Sequence, residues 1–330
     1  MNKILTVFFV IFFSVNLAKS QISTVTNEDL QKTNVEIVKL FQQQKFDEAL
    51  PLAKKAVEIA QQVHGNDNLE TAKALRNLGL VELYKNDQSS AEATLEKALS
   101  IYEKLSNLSP NDSLAFAELL ESLGVIKYKN QKGNAESLFE KALEWFEKTS
   151  GKDSMRNAKS LYVLGNIHFW KRNYKKSAQY YQRLFEIVIK NPKNKDVDLQ
   201  FVYFRTECVY RKADLKFDVI ESDYENYTKS LAEANSDKVF KSGVVNGKAI
   251  SLITPAYPAE ARQVRARGEI RVKVLISKIG TVISACGENE GHPALIEASE
   301  NAAYRSKFQP TLLEGTAVNV SGTIIYKFIP

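Results

Sequence analysis

A small residue at the start of a helix recurs along the middle of this chain at nearly constant intervals, and that period restricts the fold to an array of like units. Ala49, Ala91, Ala135 and Ser177 follow one another at steps of 42, 44 and 42 residues. They close the equivalent segments Phe46 to Ala49, Gln88 to Ala91, Lys132 to Ala135 and Tyr174 to Ser177. Upstream of three of them stands a Leu-Gly pair, at Leu78-Gly79, Leu123-Gly124 and Leu164-Gly165, where a partner helix must approach closely. Downstream, a large residue sits four on and a smaller one seven on, as in Ala91, Leu95, Ala98 and Ala135, Phe139, Ala142, a stripe that buries one helical face. The first unit has Glu36-Ile37 in place of Leu-Gly and the fourth has Ser177 in place of Ala. Atypical end units are the expected caps of an array.

After Pro192 the stretch from Asp196 to Leu231 stays helical and aromatic, with Phe201, Tyr203, Phe204, Tyr210, Phe217, Tyr224 and Tyr227. It reads as a capping helix pair, with a degenerate fifth repeat as the alternative. By helical phase Arg76, Leu80, Tyr84, Glu121, Tyr128, Tyr162, Asn166, Phe169 and Trp170 face the concave side of the array. Arg76, Tyr84, Tyr128, Tyr162, Asn166 and Trp170 are the candidate contacts for a protein partner. Packing between helices is the competing reading of that stripe.

Periodicity is lost over residues 232–247, where Asn235, Ser236, Asp237, Ser242, Gly243, Asn246 and Gly247 mark a linker. A second module follows over residues 248–330. Tyr257-Pro258 introduces a short helix from Ala259 to Arg265, with Pro258 suited to its start. From Gly268, the apolar Ile270, Val272, Val274 and Ile276 alternate with Glu269, Arg271, Lys273 and Leu275, the period of a strand with one buried face. Lys278 to Thr281 turns on Gly280, and Val282 to Cys286 returns antiparallel. His292-Pro293 opens a helix whose Leu295, Ala298, Ser299 and Ala302 share a face. Val318, Val320, Gly322, Ile324, Tyr326 and Phe328 form a final strand. The expected result is a three-stranded antiparallel sheet with two helices on one face. Such a sheet exposes an edge, and exposed edges pair with extended peptides unless they are blocked. An edge covered by the linker or by a second copy is the other arrangement open to it.

The spacing of small and large residues in the array resembles tetratricopeptide repeats, whose usual period is about 34 residues. The longer period here resembles the extended variety found in kinesin light chains. The C-terminal module resembles the C-terminal domain of TonB-type energy transducers, on Tyr257-Pro258, Arg262, Gly268, Gly280, Gly291-His292-Pro293, Ala302 and Phe308-Gln309-Pro310-Thr311. That resemblance implies a domain whose Tyr-Pro region and last strand receive an extended segment of an outer-membrane transporter. It assigns the contacts to Tyr257, Pro258 and Arg262 and to the edge Val318, Asn319, Val320, Ser321, Gly322, Thr323 and Ile324. Two departures separate the chain from a full transducer: the N-terminal apolar segment has no His, and an array replaces a Pro-rich spacer.

Residues 1–20 carry one cation, an apolar run from Ile4 to Val15, and small residues at Ala18 and Ser20, which fit a signal peptide cut after Ser20. An uncleaved inner-membrane anchor is the alternative. Export permits a disulfide, yet Cys208 and Cys286 stand on either side of the module boundary and read as two buried free thiols. From Lys241 onward eleven Lys/Arg face seven Glu and no Asp, which gives a solvated basic surface or a patch for an acidic partner. No basic run interleaved with aromatics points to nucleic acid. His64, His168 and His292 lie in three separate units, and no HExxH, GxSxG, P-loop or CxxC motif occurs. The reading is a non-enzymatic periplasmic adaptor without metal or cofactor. An anchored transducer supporting outer-membrane uptake, and a scaffold using only the repeats, are the alternatives.

Overall fold

The computed structural model describes residues 25–131, 133–194, 196–232, 240–288, 290–313 and 315–329, so the expected export segment lies outside the described residues. Two compact units are present, one up to Ile101 and one from Tyr102 onward.

In the first unit α1 (Asn27–Gln42) pairs with α2 (Phe46–His64), and α3 (Leu69–Tyr84) with α4 (Gln88–Tyr102). Thr26 and Asp29 form a reciprocal capping box that starts α1, and the Asn68 side chain caps α3. The close approach asked of Leu78-Gly79 is real. A Cβ added at Gly79 would stand 2.6 Å from Leu95 Cγ of α4.

The second unit continues with α5 (Pro110–Lys129), α6 (Ala135–Ser150), a 3-10 turn (Met155–Asn157), α7 (Ala158–Trp170), α8 (Tyr174–Lys190), α9 (Leu199–Lys212) and α10 (Asp218–Ala232). Ser109 caps α5 with Pro110 at its first position. Gly124 and Gly165 meet the rings of Phe139 and Tyr181, at 3.0 and 2.8 Å from the Cβ each lacks. The turns inside the helix pairs share one backbone device. Gln44, Asn86, Gln131, Arg172 and Asp214 all adopt positive φ, between 54 and 63°, a conformation disfavoured for residues with a Cβ. Asp214 places the α9–α10 pair in the same series, so the cap turns as the four repeats do.

The C-terminal module holds β1 (Phe240–Val244), a 3-10 turn (Asn246–Lys248), β2 (Ala249–Ser251), α11 (Ala259–Gln263), β3 (Gly268–Ile276), β4 (Val282–Gly287), α12 (Pro293–Arg305), β5 (Lys307–Phe308), β6 (Thr311–Leu313), β7 (Thr316–Val318) and β8 (Val320–Phe328). The main sheet has four strands in the order β1-β8-β3-β4, one more than expected. The added strand comes from the segment read as linker, and it runs parallel to β8. β3 pairs antiparallel with β8 from Gly268↔Phe328 to Ile276↔Val320. The β3–β4 hairpin turns on Gly280, at φ 83° and with no room for a Cβ, which would lie 1.9 Å from the Phe308 carbonyl oxygen. Phe308 N–H in turn donates to Gly280 O at 2.8 Å, tying the hairpin to the Phe-x-Pro segment.

One face of β3, carrying Ile270, Val272, Val274 and Ile276, joins Leu295, Ile296, Ala302 and Phe308 in a core of its own. The opposite face is also covered. Leu275 and Cys286 belong to the core of the helical array, among Phe204, Cys208 and Val209 of α9. The expected sheet, helical on one face only, is in fact a layer between α12 and the end of the array.

Candidate interaction surfaces

The margin of β8 expected to be unpaired is paired by the chain itself. Phe240 stands opposite Val320, Lys241 opposite Ser321 and Val244 opposite Thr323, with a register shift between Lys241 and Val244. The next residue, Val245, donates its N–H to Thr323 O at 3.0 Å and is 1% exposed. Gly322 makes this possible, since a Cβ there would lie 2.5 Å from Val245 Cγ1 and 3.1 Å from Gly243 O. Because Thr323 O faces β1, the strand period turns the backbone of Ser321 to the same side, while Val320, Gly322 and Ile324 alternate toward β3. Two edge candidates lie elsewhere. Val318 belongs to β7, paired with Thr311 of β6. Asn319 is buried, its Oδ1 accepting Lys278 N–H at 3.1 Å and its Nδ2 donating to Gln200 Oε1 at 2.9 Å. It spans from the hairpin turn to the start of α9.

Tyr257, Pro258 and Arg262 gather at the other end of β8. The Tyr257 ring meets Phe328 edge-on at 5.8 Å, and the Arg262 guanidinium lies 5.7 Å over it while donating to Tyr257 O at 3.3 Å. Pro258 precedes α11 as its cap. From Thr323 to Phe328 is five strand steps, about 17 Å, so these residues and the β1 pairing do not share a contact point.

The array candidates divide between the units. In the first, Tyr84 is exposed, stacks on Phe46 at 5.3 Å and meets Phe41 edge-on, while Arg76 donates to Asn77 Oδ1 at 3.1 Å. In the second, Trp170 is half exposed at the end of α7, Tyr128 and Tyr162 are partly buried, and burial raises the Tyr128 phenol above its usual range. Tyr162 lines an open depression of about 1740 Å³ between the α6–α7 and α8–α9 connections, together with Arg156, Lys159 and Phe201. Asn166 is no surface contact. It is buried, and its Oδ1 accepts from Tyr181 Oη at 2.8 Å and from Arg205 Nη2 at 3.2 Å.

Arg205 opens onto the seam between array and sheet, where sequence reasoning had placed nothing. It is 3% exposed, lies 4.5 Å over the Phe169 ring, and donates through Nη1 to Tyr304 Oη of α12 at 3.1 Å. Beside it Lys212 Nζ of α9 stands 2.9 Å from Glu300 Oε1 of α12, both side chains under 10% exposed, and the same carboxylate oxygen accepts Gly287 N–H at 2.7 Å. Lys273 of β3 pairs with Glu207 at 2.6 Å under the Phe204 ring. Arg172 and Glu297 pair at 2.7 Å farther out. Cys208 and Cys286 are bonded across this seam with Cα atoms 5.7 Å apart, within the span a disulfide bridges. The expectation of two free thiols is thereby overturned, because both cysteines sit on the faces that meet. Leu275 and Cys286, apolar on the side of the hairpin that should face water, were the signal in the sequence.

His64 Nε2 lies 3.1 Å from Asn27 Oδ1, and the His292 side chain caps α12. His168 is buried, stacks on Tyr180, and has its pKa pushed down by burial, with neighbouring Glu136 opposing. Glu136, Glu140 and His168 bring one ligand atom each within 4.8 Å. Lys171 pairs with Glu136 and Lys176 with Glu140, so two ammonium groups already neutralise the carboxylates a cation would need. Among the described residues no helix is long and apolar enough to cross a membrane.

Residues 39–104 and 116–190 match the tetratricopeptide repeat family, and residues 253–330 match the family described as Gram-negative bacterial TonB protein C-terminal. No curated protein matches the sequence. Among solved structures, BtubC (BKLC) from P. vanneervenii superposes with a TM-score of 0.50 at 19% identity, over 64% of this chain and 83% of its own. A Podosopora anserina putative kinesin light chain gives 0.48 at 14% identity, over 63% and 97%. MamA gives 0.45 at 16%, over 65% and 100%. The first of these shares the helical-repeat fold. Both families are interaction modules, the second of them of the Gram-negative envelope. The chain is a helical solenoid of tetratricopeptide type followed by a TonB C-terminal domain at residues 253–330.

Proposed function

We propose that this chain is a periplasmic adaptor that binds one protein through its repeats and takes an extended segment of an envelope protein, a TonB-dependent transporter being the candidate, at the β8 margin. The observation that carries the reading is that this margin already accepts a strand from outside the β3–β8 unit, in parallel pairing. A margin that pairs one extended segment has the backbone geometry to pair another. Exposed aromatics at Tyr84 and Trp170 are the corresponding anchors on the repeats. The disulfide and the buried Lys212–Glu300 pair favour an adaptor with fixed seating of its last domain over a force-transmitting rod.

A photo-crosslinking residue at Thr323, and separately at Trp170, tests the two surfaces in intact cells. The expected result is two different partner bands. A Thr323 adduct with no envelope protein, in a folded chain, removes the β8 role. The N-terminus of the mature protein separates this reading from an anchored transducer: Gln21 supports the adaptor, Met1 the anchor.

A further inference from the structure

The geometry points to strand exchange at the β8 margin: Phe240–Val244 holds the place of the partner's extended segment, and a partner enters only by peeling this strap away. The inference rests on the edge-capture reading above and adds a guarded state to it. The strap is built to be weak. Among the described residues it has three paired positions, its register slips between Lys241 and Val244, and Gly243 and Val244 are exposed. Its firm point is Val245, buried beside Gly322 with its N–H on Thr323 O. Peeling it does not release the domain, because the Cys208–Cys286 bond and the Lys212–Glu300 pair hold the sheet and α12 to α9 independently of the strap.

The same geometry specifies the incoming segment. It must run parallel to β8, pair with the backbone of Ser321 and Thr323, and place a β-branched apolar side chain where Val245 now lies, since only Gly322 leaves that space. An edge open in about one molecule in a hundred weakens apparent affinity about a hundredfold. The strap thereby restricts capture to segments that match it or exceed it.

The test uses the full mature chain and a fluorescent peptide copying residues 239–247, with the same residues in scrambled order as control. In one variant residues 240–245 are replaced by a Gly-Ser linker of equal length. The expected result is binding of the native-order peptide to the variant at least about tenfold tighter than to the unmodified chain, with no binding of the scrambled peptide. Equal affinity for both proteins overturns the guard and leaves edge capture standing. Binding to neither overturns edge capture itself. Should the variant fail to fold, hydrogen exchange on the unmodified chain decides: saturating peptide accelerates exchange at the Val245 amide if the strap is displaced, and an unchanged rate overturns the proposal.

Discussion

Replacing Glu300 by Gln deletes one charge from the seam while keeping an oxygen for Gly287 N–H, and the cost follows from the burial of its partner. Lys212 Nζ is 2.9 Å from Glu300 Oε1 and both side chains are below 10% exposed. At an effective dielectric of about 20 their attraction is about 6 kcal/mol before desolvation is counted. Removing the negative charge leaves a buried ammonium with a neutral amide oxygen and the faces of Phe169 and Tyr174, each 5.9 Å away, in place of its counter-ion. Breaking such a pair costs about 3 to 5 kcal/mol. For a unit of this size that lowers Tm by about 6 to 20 °C. Both tryptophans, Trp145 and Trp170, belong to the second unit, so tryptophan fluorescence in urea reports its unfolding without a signal from the first. The double variant Glu300→Gln with Lys212→Met should recover much of the loss, giving a coupling energy of about 2 kcal/mol or more. A loss below about 1 kcal/mol in Glu300→Gln, with an unchanged urea slope, would refute the buried-pair account.

Gly165→Ala should cost about 1 to 3 kcal/mol by overpacking, because its Cβ meets the buried Tyr181 ring; an unchanged urea midpoint would show that the α7–α8 contact is loose. Thiol titration of unreduced, denatured protein should find no reactive cysteine, and Cys286→Ser with Cys208→Ser should lose about 4 kcal/mol by opening a loop of 78 residues. Two titratable thiols in protein taken from an oxidising compartment would contradict the bridge. Burial keeps His168 neutral in the fold, its pKa below the usual 6.5, while the unfolded chain takes the proton near 6.5. Stability is therefore fully present above about pH 6.5 and falls as the pH drops below it. His168→Phe, which keeps the stack on Tyr180, should flatten that slope below about pH 6.5, and an unaltered slope assigns the acid sensitivity elsewhere.

The array was legible in the sequence because its rules are local. A 42-residue step, a Leu-Gly pair and an i, i+4, i+7 stripe are enforced within one helix pair, and Gly79, Gly124 and Gly165 meet the large residues that the pattern paired with them. The β3–β4 hairpin and β8 were legible for the same reason, since alternation along a strand needs no knowledge of what lies across it. The Tyr257 to Arg262 cluster was found by resemblance, and the structure shows these residues packed on Phe328, five steps from Thr323.

Tertiary structure alone decided the rest. β1 has no alternation of its own and becomes a strand only because β8 offers it unpaired backbone and Gly322 offers room. Cys208 and Cys286, 78 residues apart, meet only when α9 seats on the sheet, and Arg205, Lys212 and Glu300 acquire their meaning at the same seam. Periodicity states which face of an element shuns water; which distant surface covers that face is settled by shape and charge matching in three dimensions.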